Sequence, residues 1–241
     1  MADLLRLENL SKRFGSLTVT DDLSLQLGPE EALGILGPNG AGKNTLFNLI
    51  VGSLKPNAGR IHFLGADITM LPPHERCRRG IGRSYQIPHP FAKMSVFENL
   101  LVAASFAGGR AEAECYDHCI DVLARTGLLA KANRPAGRLT LLERKRLELA
   151  RALATRPRLL LLDEIAGGLT EHECQELIVT IRAIHAAGTA IIWIEHVVHA
   201  LLAVVGRLVV IDFGRLLAEG EPRRVMADPA VQDVYLGIDA A

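Results

Sequence analysis

Three short segments, far apart in the chain, carry residues whose types and spacing suit phosphate chemistry. In GPNGAGKNT, Gly37, Pro38, Asn39, Gly40, Ala41 and Gly42 precede Lys43, Asn44 and Thr45. Glycines at these three places permit a tight turn whose N–H groups converge on phosphate oxygens, at the positive end of the helix that follows. Lys43 adds a point charge for the β- and γ-phosphates. The run ALGILG before the loop and NTLFNLIVG after it supply the strand, loop and helix that this motif needs. Far downstream, the apolar run LLLLDE ends in Asp163 and Glu164. A carboxylate at the carboxyl edge of a sheet can hold Mg²⁺ through its water shell, and a second can orient the water that attacks a γ-phosphate. In WIEH a further strand delivers His196 to the same edge, placed for a γ-phosphate contact.

The residue after Lys43 departs from this pattern. That place suits a Ser or Thr hydroxyl that ligates Mg²⁺, and here it holds Asn44. Mg²⁺ demands near-ideal octahedral oxygen geometry at about 2.1 Å. An amide oxygen lies one atom further from the backbone and brings an NH₂ of the wrong polarity. The Thr45 hydroxyl sits roughly 100° further round the helix axis. ATP binding is therefore expected to survive, with weaker metal coordination and slower turnover.

The elements that must position these groups follow from periodicity. The opening LLRLENLSKRFGSLTVTDDLSLQLGPEEALGILG reads as short strands with turns at Gly15-Ser16 and Gly28-Pro29. RIHFLG and ADIT are further strands, ended by a break at Pro72-Pro73. From about Phe91 to Arg156 apolar residues recur every three or four positions, predicting helices over SVFENLLVAASF, AECYDHCIDVLART and ERKRLELARALA. RLLLLDE and TAIIWIE are buried-strand runs separated by the helical HECQELIVTIRAIHAAG, the alternation of a parallel sheet with crossover helices. RLVVIDFGRLLAEG predicts a hairpin turning at Asp212 to Gly214, before a last helix, PAVQDVYLG.

Bulk properties exclude other classes. Apolar residues make up 49% of the 241 positions, and 27 basic residues balance 27 acidic ones, so no global field favours nucleic acid or an anionic membrane. The N-terminus lacks the apolar core of a signal peptide, and IIWIEHVVHALLAVVGRLVVIDF is too interrupted by charge to span a bilayer. The four cysteines make no disulfide framework, which suits a reducing cytoplasm. Cys115, His118 and Cys119 share a helix face on paper, yet no second ligand pair lies at zinc-site spacing, and a helix surface with two thiols is the preferred reading.

On these residues the chain resembles the ATP-binding subunit of an ABC transporter, over essentially its whole length. RSYQIPHPF, centred on Gln86, looks like the family's glutamine loop, which senses the γ-phosphate and metal; LLLLDE and WIEH look like its Walker B and histidine-switch segments. KRFG offers Phe14 for stacking on adenine, with Val19 nearby. The resemblance implies an α/β P-loop NTPase of the ABC type, with a mixed sheet core, an N-terminal antiparallel β region and an inserted helical lobe. The core takes about 1–86 and 157–241, the lobe about 87–156. It implies ATP and Mg²⁺ as ligands, with Asp163, Gln86 and Asn44 at the metal and Glu164 and His196 as catalytic groups. It also implies a second ATP-binding subunit, permease subunits and, through them, a solute-binding protein, at the cytoplasmic face of the cell membrane.

EIAGGLT and DPAVQDVYLG are most similar to branched-chain amino-acid importers, with urea and lipopolysaccharide-export ATPases close by. LTLLE stands where the family has a signature resembling LSGGQ, which reaches the partner's nucleotide. Thr140 keeps the hydroxyl, whereas Leu141, Leu142 and Glu143 replace the two glycines and the glutamine. Asn44 and the leucines weaken different composite sites in a heterodimer but the same sites in a homodimer, so a heterodimer is expected. PHPFAKMSVFENL, with Phe91, Met94 and Phe97, would dock the permease. Competing readings are a nucleotide-gated structural subunit, which both departures favour and the retained Glu164 and His196 oppose, and a soluble ABC ATPase of DNA repair or translation, which the neutral charge and missing coiled coil oppose. A GTPase lacks its guanine-reading motif.

Overall fold

The computed structural model describes residues 3–236; Gly237, the last residue of the predicted terminal helix, and the other flanking positions lie outside them. Strands β1 (Leu5–Phe14) and β2 (Leu17–Leu27) form the expected hairpin, antiparallel from Leu5↔Leu27 to Phe14↔Leu17, and turn at Gly15 with φ 59°. Strand β3 (Ala32–Leu36), buried throughout, runs into the glycine-rich loop, and helix α1 (Lys43–Val51) leaves it. Strands β4 (Ala58–Phe63) and β5 (Ala66–Asp67) complete a four-stranded sheet in the order β2-β1-β4-β5. The strand expected over ADIT stops at Asp67, because its carboxylate accepts the Thr69 N–H at 2.8 Å in a local turn.

Helix α2 (Pro73–Arg78) begins at the proline pair read as a break, with Pro at its first position, where a missing N–H costs nothing. Strand β6 (Ile81–Arg83) follows, then helices α3 (Val96–Gly108), α4 (Tyr116–Arg125) and α5 (Leu141–Ala154). The start of the predicted AECYDHC helix is a 3₁₀ turn, Glu112–Cys115. The chain continues through strand β7 (Leu159–Asp163), helix α6 (Glu171–Ala186), strand β8 (Ala190–Ile194) and helix α7 (Val198–Leu202). Strands β9 (Arg207–Asp212) and β10 (Arg215–Gly220) make the predicted hairpin, before helices α8 (Pro222–Met226) and α9 (Pro229–Leu236). Elements α2, β6 and α8 escape the sequence reading because, at 3 to 6 residues, none is long enough to display a period, whereas α7 is the helix expected between the strands of IIWIEHVVHALLAVVGRLVVIDF.

The second sheet has the order β10-β9-β3-β8-β7-β6, parallel except for the β9–β10 pair. Alternation divides its strands between two cores. Leu160, Leu162, Ile191, Trp193, Leu208 and Val210 pack with apolar residues of α3, α4, α5 and α6. Leu159, Leu161, Ile192, Ile194, Val209 and Ile211 pack with α1 and the four-stranded sheet. Ile194 pairs with Ile35 on one side and Asp163 on the other, so β3, β7 and β8 end together at one edge. Among the described residues no helix is long and apolar enough to cross a membrane.

One buried cation closes α1. Arg76 is 1% exposed and donates to Leu49 O at 2.6 Å, Ile50 O at 3.0 Å, Thr69 O at 2.8 Å and Leu71 O at 2.9 Å. Two of these carbonyls belong to the last turn of α1 and two to the segment that leads into α2, so one side chain ties the two together. Burial pushes the guanidinium down to about 10, against the pull of Asp67. Arg76→Met should therefore cost about 3–5 kcal/mol, since it strands several buried acceptors at once. Urea denaturation monitored by Trp193 fluorescence checks this; a loss under about 1 kcal/mol would contradict it.

Candidate functional site

The phosphate loop is held from behind by backbone contacts that only glycine allows. A Cβ at Gly37 would stand 2.1 Å from Ile211 O, and one at Gly42 (φ 98°) would stand 2.4 Å from Val19 O. The turn between β9 and β10 is pinned to the same place: Gly214 N–H donates to Ala41 O at 3.0 Å, and Asp21 N–H donates to Gly214 O at 2.9 Å. In front, a Cβ at Gly40 would meet nothing within 4 Å, so the loop is open on the side its N–H groups serve. Lys43 opens α1 and is 6% exposed; its ammonium donates to Gly37 O at 2.6 Å and Pro38 O at 2.9 Å. Burial lowers its pKa, opposed by the charges of Glu164 and Asp163.

A cavity of about 210 Å³ lies along this loop, lined by Val19, Asn39, Lys43, Asn44, Thr45 and Glu164 among others. Asn44 and Thr45 both border it. A second cavity of about 480 Å³ shares Val19, Asn39, Gly40 and Ala41 with it, and is walled by Leu17, Pro38, Phe213 and Val234. Phe14 lines neither; it lies 46% exposed beneath the Lys12 ammonium, 5.2 Å from its ring centroid. Phe213 was not foreseen. It is an aromatic 86% exposed at a backbone φ of 43°, and an aromatic inside a tight Asp-Phe-Gly turn is the signal that marks it.

At the sheet edge the two catalytic candidates meet, with Gln86 beside them. His196 Nε2 lies 2.7 Å from Glu164 Oε1, and Gln86 Nε2 donates to Glu164 Oε2 at 2.5 Å. Glu164 has φ 45°, a strained value for a side chain of this size. Asp163 beside it is 3% exposed, and Arg83 Nη2 donates to its Oδ2 at 2.6 Å. The same guanidinium donates to Asn48 Oδ1 at 2.7 Å and lies near the Phe47 and Tyr85 rings, 5.4 and 4.9 Å from their centroids. Arg83 was missed because the three-residue strand β6 that carries it has no period. Asp163 Oδ1 is buried without a hydrogen-bond partner, so it is the oxygen free to accept from the water shell of a Mg²⁺ ion. The donor set fits that ion, with Asn44 exposed on the cavity wall and Gln86 engaged with Glu164.

Two further buried charges stand behind these groups. Glu195, 1% exposed, accepts from Ala166 N–H at 2.9 Å, His196 N–H at 3.0 Å and Val197 N–H at 3.4 Å. Burial raises its pKa, and the backbone donors and Lys145 oppose that rise. Lys145 is 5% exposed and donates to Glu164 O at 3.4 Å.

The LTLLE segment is turned differently from expectation. Thr140 caps α5, its Oγ1 accepting from Glu143 N–H at 3.4 Å while Thr140 N–H donates to the Glu143 carboxylate at 2.9 Å. Glu143 also pairs with Lys131 and is buried, as is Leu142, leaving Thr140 and Leu141 outward. Of the docking candidates, Phe91 is exposed under Arg151, whereas Phe97 packs edge-on against Tyr116, 5.6 Å between centroids. Met94 is half-buried.

The surface reading of Cys115 and Cys119 is overturned. Both are buried in the core formed by α3, α4 and α5, and His118 contacts Ala154 O at 3.2 Å. No group of three or more His, Cys, Asp or Glu side chains placed to hold a metal occurs among the described residues.

Known proteins share this chain's sequence and fold. Residues 20–167 match the ABC transporter family, and residues 215–241 match the branched-chain amino acid ATP-binding cassette transporter family. The chain is 38% identical to the high-affinity branched-chain amino acid transport ATP-binding protein LivG of Escherichia coli K12, covering 97% of this chain and 98% of that one. It is 36% identical to the lipopolysaccharide export system ATP-binding protein LptB of Acidithiobacillus ferridurans, over 98% of each. Among solved structures it superposes on the ADP conformation of an ATP-binding cassette of an ABC transporter with TM-score 0.90 and 31% identity, covering 98% of this chain and 100% of that one.

Burial has a measurable consequence for the thiols. It pushes Cys119 up to about 11, so at pH 8 its thiolate fraction is on the order of one part in a thousand. In native protein Cys77, the half-buried thiol, should react first with a maleimide, and Cys115, Cys119 and Cys174 should react only on unfolding. Mass spectrometry of labelled peptides reads this; rapid native labelling of Cys119 would contradict it.

Proposed function

Since this chain belongs to the ABC transporter family as an ATP-binding cassette, we propose that it is the energising subunit of a branched-chain amino-acid importer. The observation that carries the mechanism is the convergence of Gln86 and His196 on the two oxygens of Glu164, beside the Lys43 loop. The loop N–H groups and Lys43 bind the triphosphate of ATP. Glu164 orients and polarises the attacking water, and His196 contacts the γ-phosphate. Asp163, with Gln86 and Asn44, would hold Mg²⁺, which neutralises charge on the β- and γ-phosphates when bound. Phe14 and Val19 are the adenine contacts on this reading. Thr140 and Leu141 face the nucleotide of a second ATP-binding subunit, a different chain with a complete signature. Residues of about 87–156 act as the lobe that carries motion to permease subunits at the cytoplasmic face of the membrane. The groove lined by Arg83, Tyr85, Glu148 and Arg151, next to Phe91, supports that docking surface.

The second reading is a nucleotide-gated subunit with little catalysis of its own. Asn44 on the cavity wall and the exposed Leu141 favour it. Paired assays separate the two. The purified chain should bind ATP with little dependence on Mg²⁺ and hydrolyse it slowly. Asn44→Thr should raise Mg²⁺-dependent turnover about tenfold or more, equivalent to about 1.4 kcal/mol of barrier. Equal, slow rates for both forms, alone and with the second subunit, would favour the gated reading. GTP preference or specific DNA binding would remove both.

A further inference from the structure

We propose that Glu195 is a positioning residue for the reaction, setting the distance between Glu164 and His196 without touching the reacting atoms, with Lys145 completing the frame. The proposal rests on the catalytic reading of Glu164 and His196 given above. A carboxylate 1% exposed is costly unless donors answer it. The donors that answer Glu195 are the informative part. They are backbone N–H groups on both sides of the catalytic pair: Ala166, two residues after Glu164, and His196 and Val197, at the other partner. Ala166 and Glu195 are 29 residues apart in sequence, so one side chain joins two segments that the sheet alone joins only up to Asp163↔Ile194.

Beyond that last paired position the chain at Glu164 turns into its strained φ of 45°. Three contacts hold it there: Glu164 N–H to Ile194 O at 2.8 Å, Ala166 N–H to Glu195, and the Lys145 ammonium to Glu164 O. The 2.7 Å contact between His196 and Glu164 depends on that frame. Lys145 also lies one turn into α5, so the segment that begins at Thr140 is tied to the carbonyl of Glu164.

Glutamine tests the idea because it keeps the shape of Glu195 but has a single acceptor oxygen, and its NH₂ would face a backbone donor. The first readout is the His196 side-chain ¹⁵N resonance in nucleotide-free protein, which reports its contact with Glu164. Glu195→Gln should move it in the same direction as Glu164→Gln does. The second is turnover in the Asn44→Thr background: kcat should fall about tenfold or more, with nucleotide affinity within about twofold. In a His196→Ala background that loss should vanish. Glu195→Asp, which keeps the charge on a shorter arm, serves if the glutamine form does not fold, and should displace the resonance likewise. An unmoved His196 resonance in a folded variant overturns the proposal, as does an equal loss of turnover with His196 absent. A displaced resonance with unchanged turnover upholds the frame and counts instead against the catalytic reading of the pair.

Discussion

The site depends on carboxylates removed from water at the carboxyl edge of a parallel sheet. Asp163 and Glu195 are each nearly inaccessible, and burying a carboxylate is costly without a dedicated partner. The fold answers each in a different way. Asp163 meets the guanidinium of Arg83, brought by the neighbouring strand and lying near the Phe47 and Tyr85 rings. Glu195 meets backbone donors and the field of Lys145. Glu164, between them, is left to the side chains of Gln86 and His196, which approach from the solvent side. Asp163 Oδ2 and Glu195 thus meet partners from within the fold, and Glu164 meets the side chains of two loops.

The parts of this arrangement that could be read from the sequence are those with a spacing rule behind them. The phosphate loop shows itself through glycine chemistry, and the strands β7 and β8 through unbroken apolar runs ending in charge. Arg83 and Glu195 obey no such rule. Their meaning comes from which strand lies beside which, a three-dimensional fact that local periodicity does not encode. The signature segment misled for a related reason. Glu143 closes the capping box with Thr140 and pairs with Lys131, and it is buried, where a residue-for-residue likeness would have faced it outward. Cys115 and Cys119 show the same limit: thiols four positions apart look alike in a surface helix and in a packed lobe.

The two departures at Asn44 and at Leu141 are local and leave the surrounding architecture whole. Gly40, Gly42, Lys43 and Glu164 line the same cavity as Asn44. The relatives that share this architecture include a branched-chain amino acid transport subunit and a lipopolysaccharide export subunit at similar identity.

The contacts behind the phosphate loop carry a consequence for biosynthesis. Only glycine at 37 fits against Ile211 O, and Ala41 is bonded to Gly214, so the cradle leans on a hairpin far downstream in the chain. A ribosome that has released Lys43 has released a lysine whose socket cannot close until β9 and β10 have also emerged. Such late, long-range closure is slow. During that interval the emerging apolar strands of the parallel sheet are the part most exposed to aggregation, and the part for which a chaperone would have most to do.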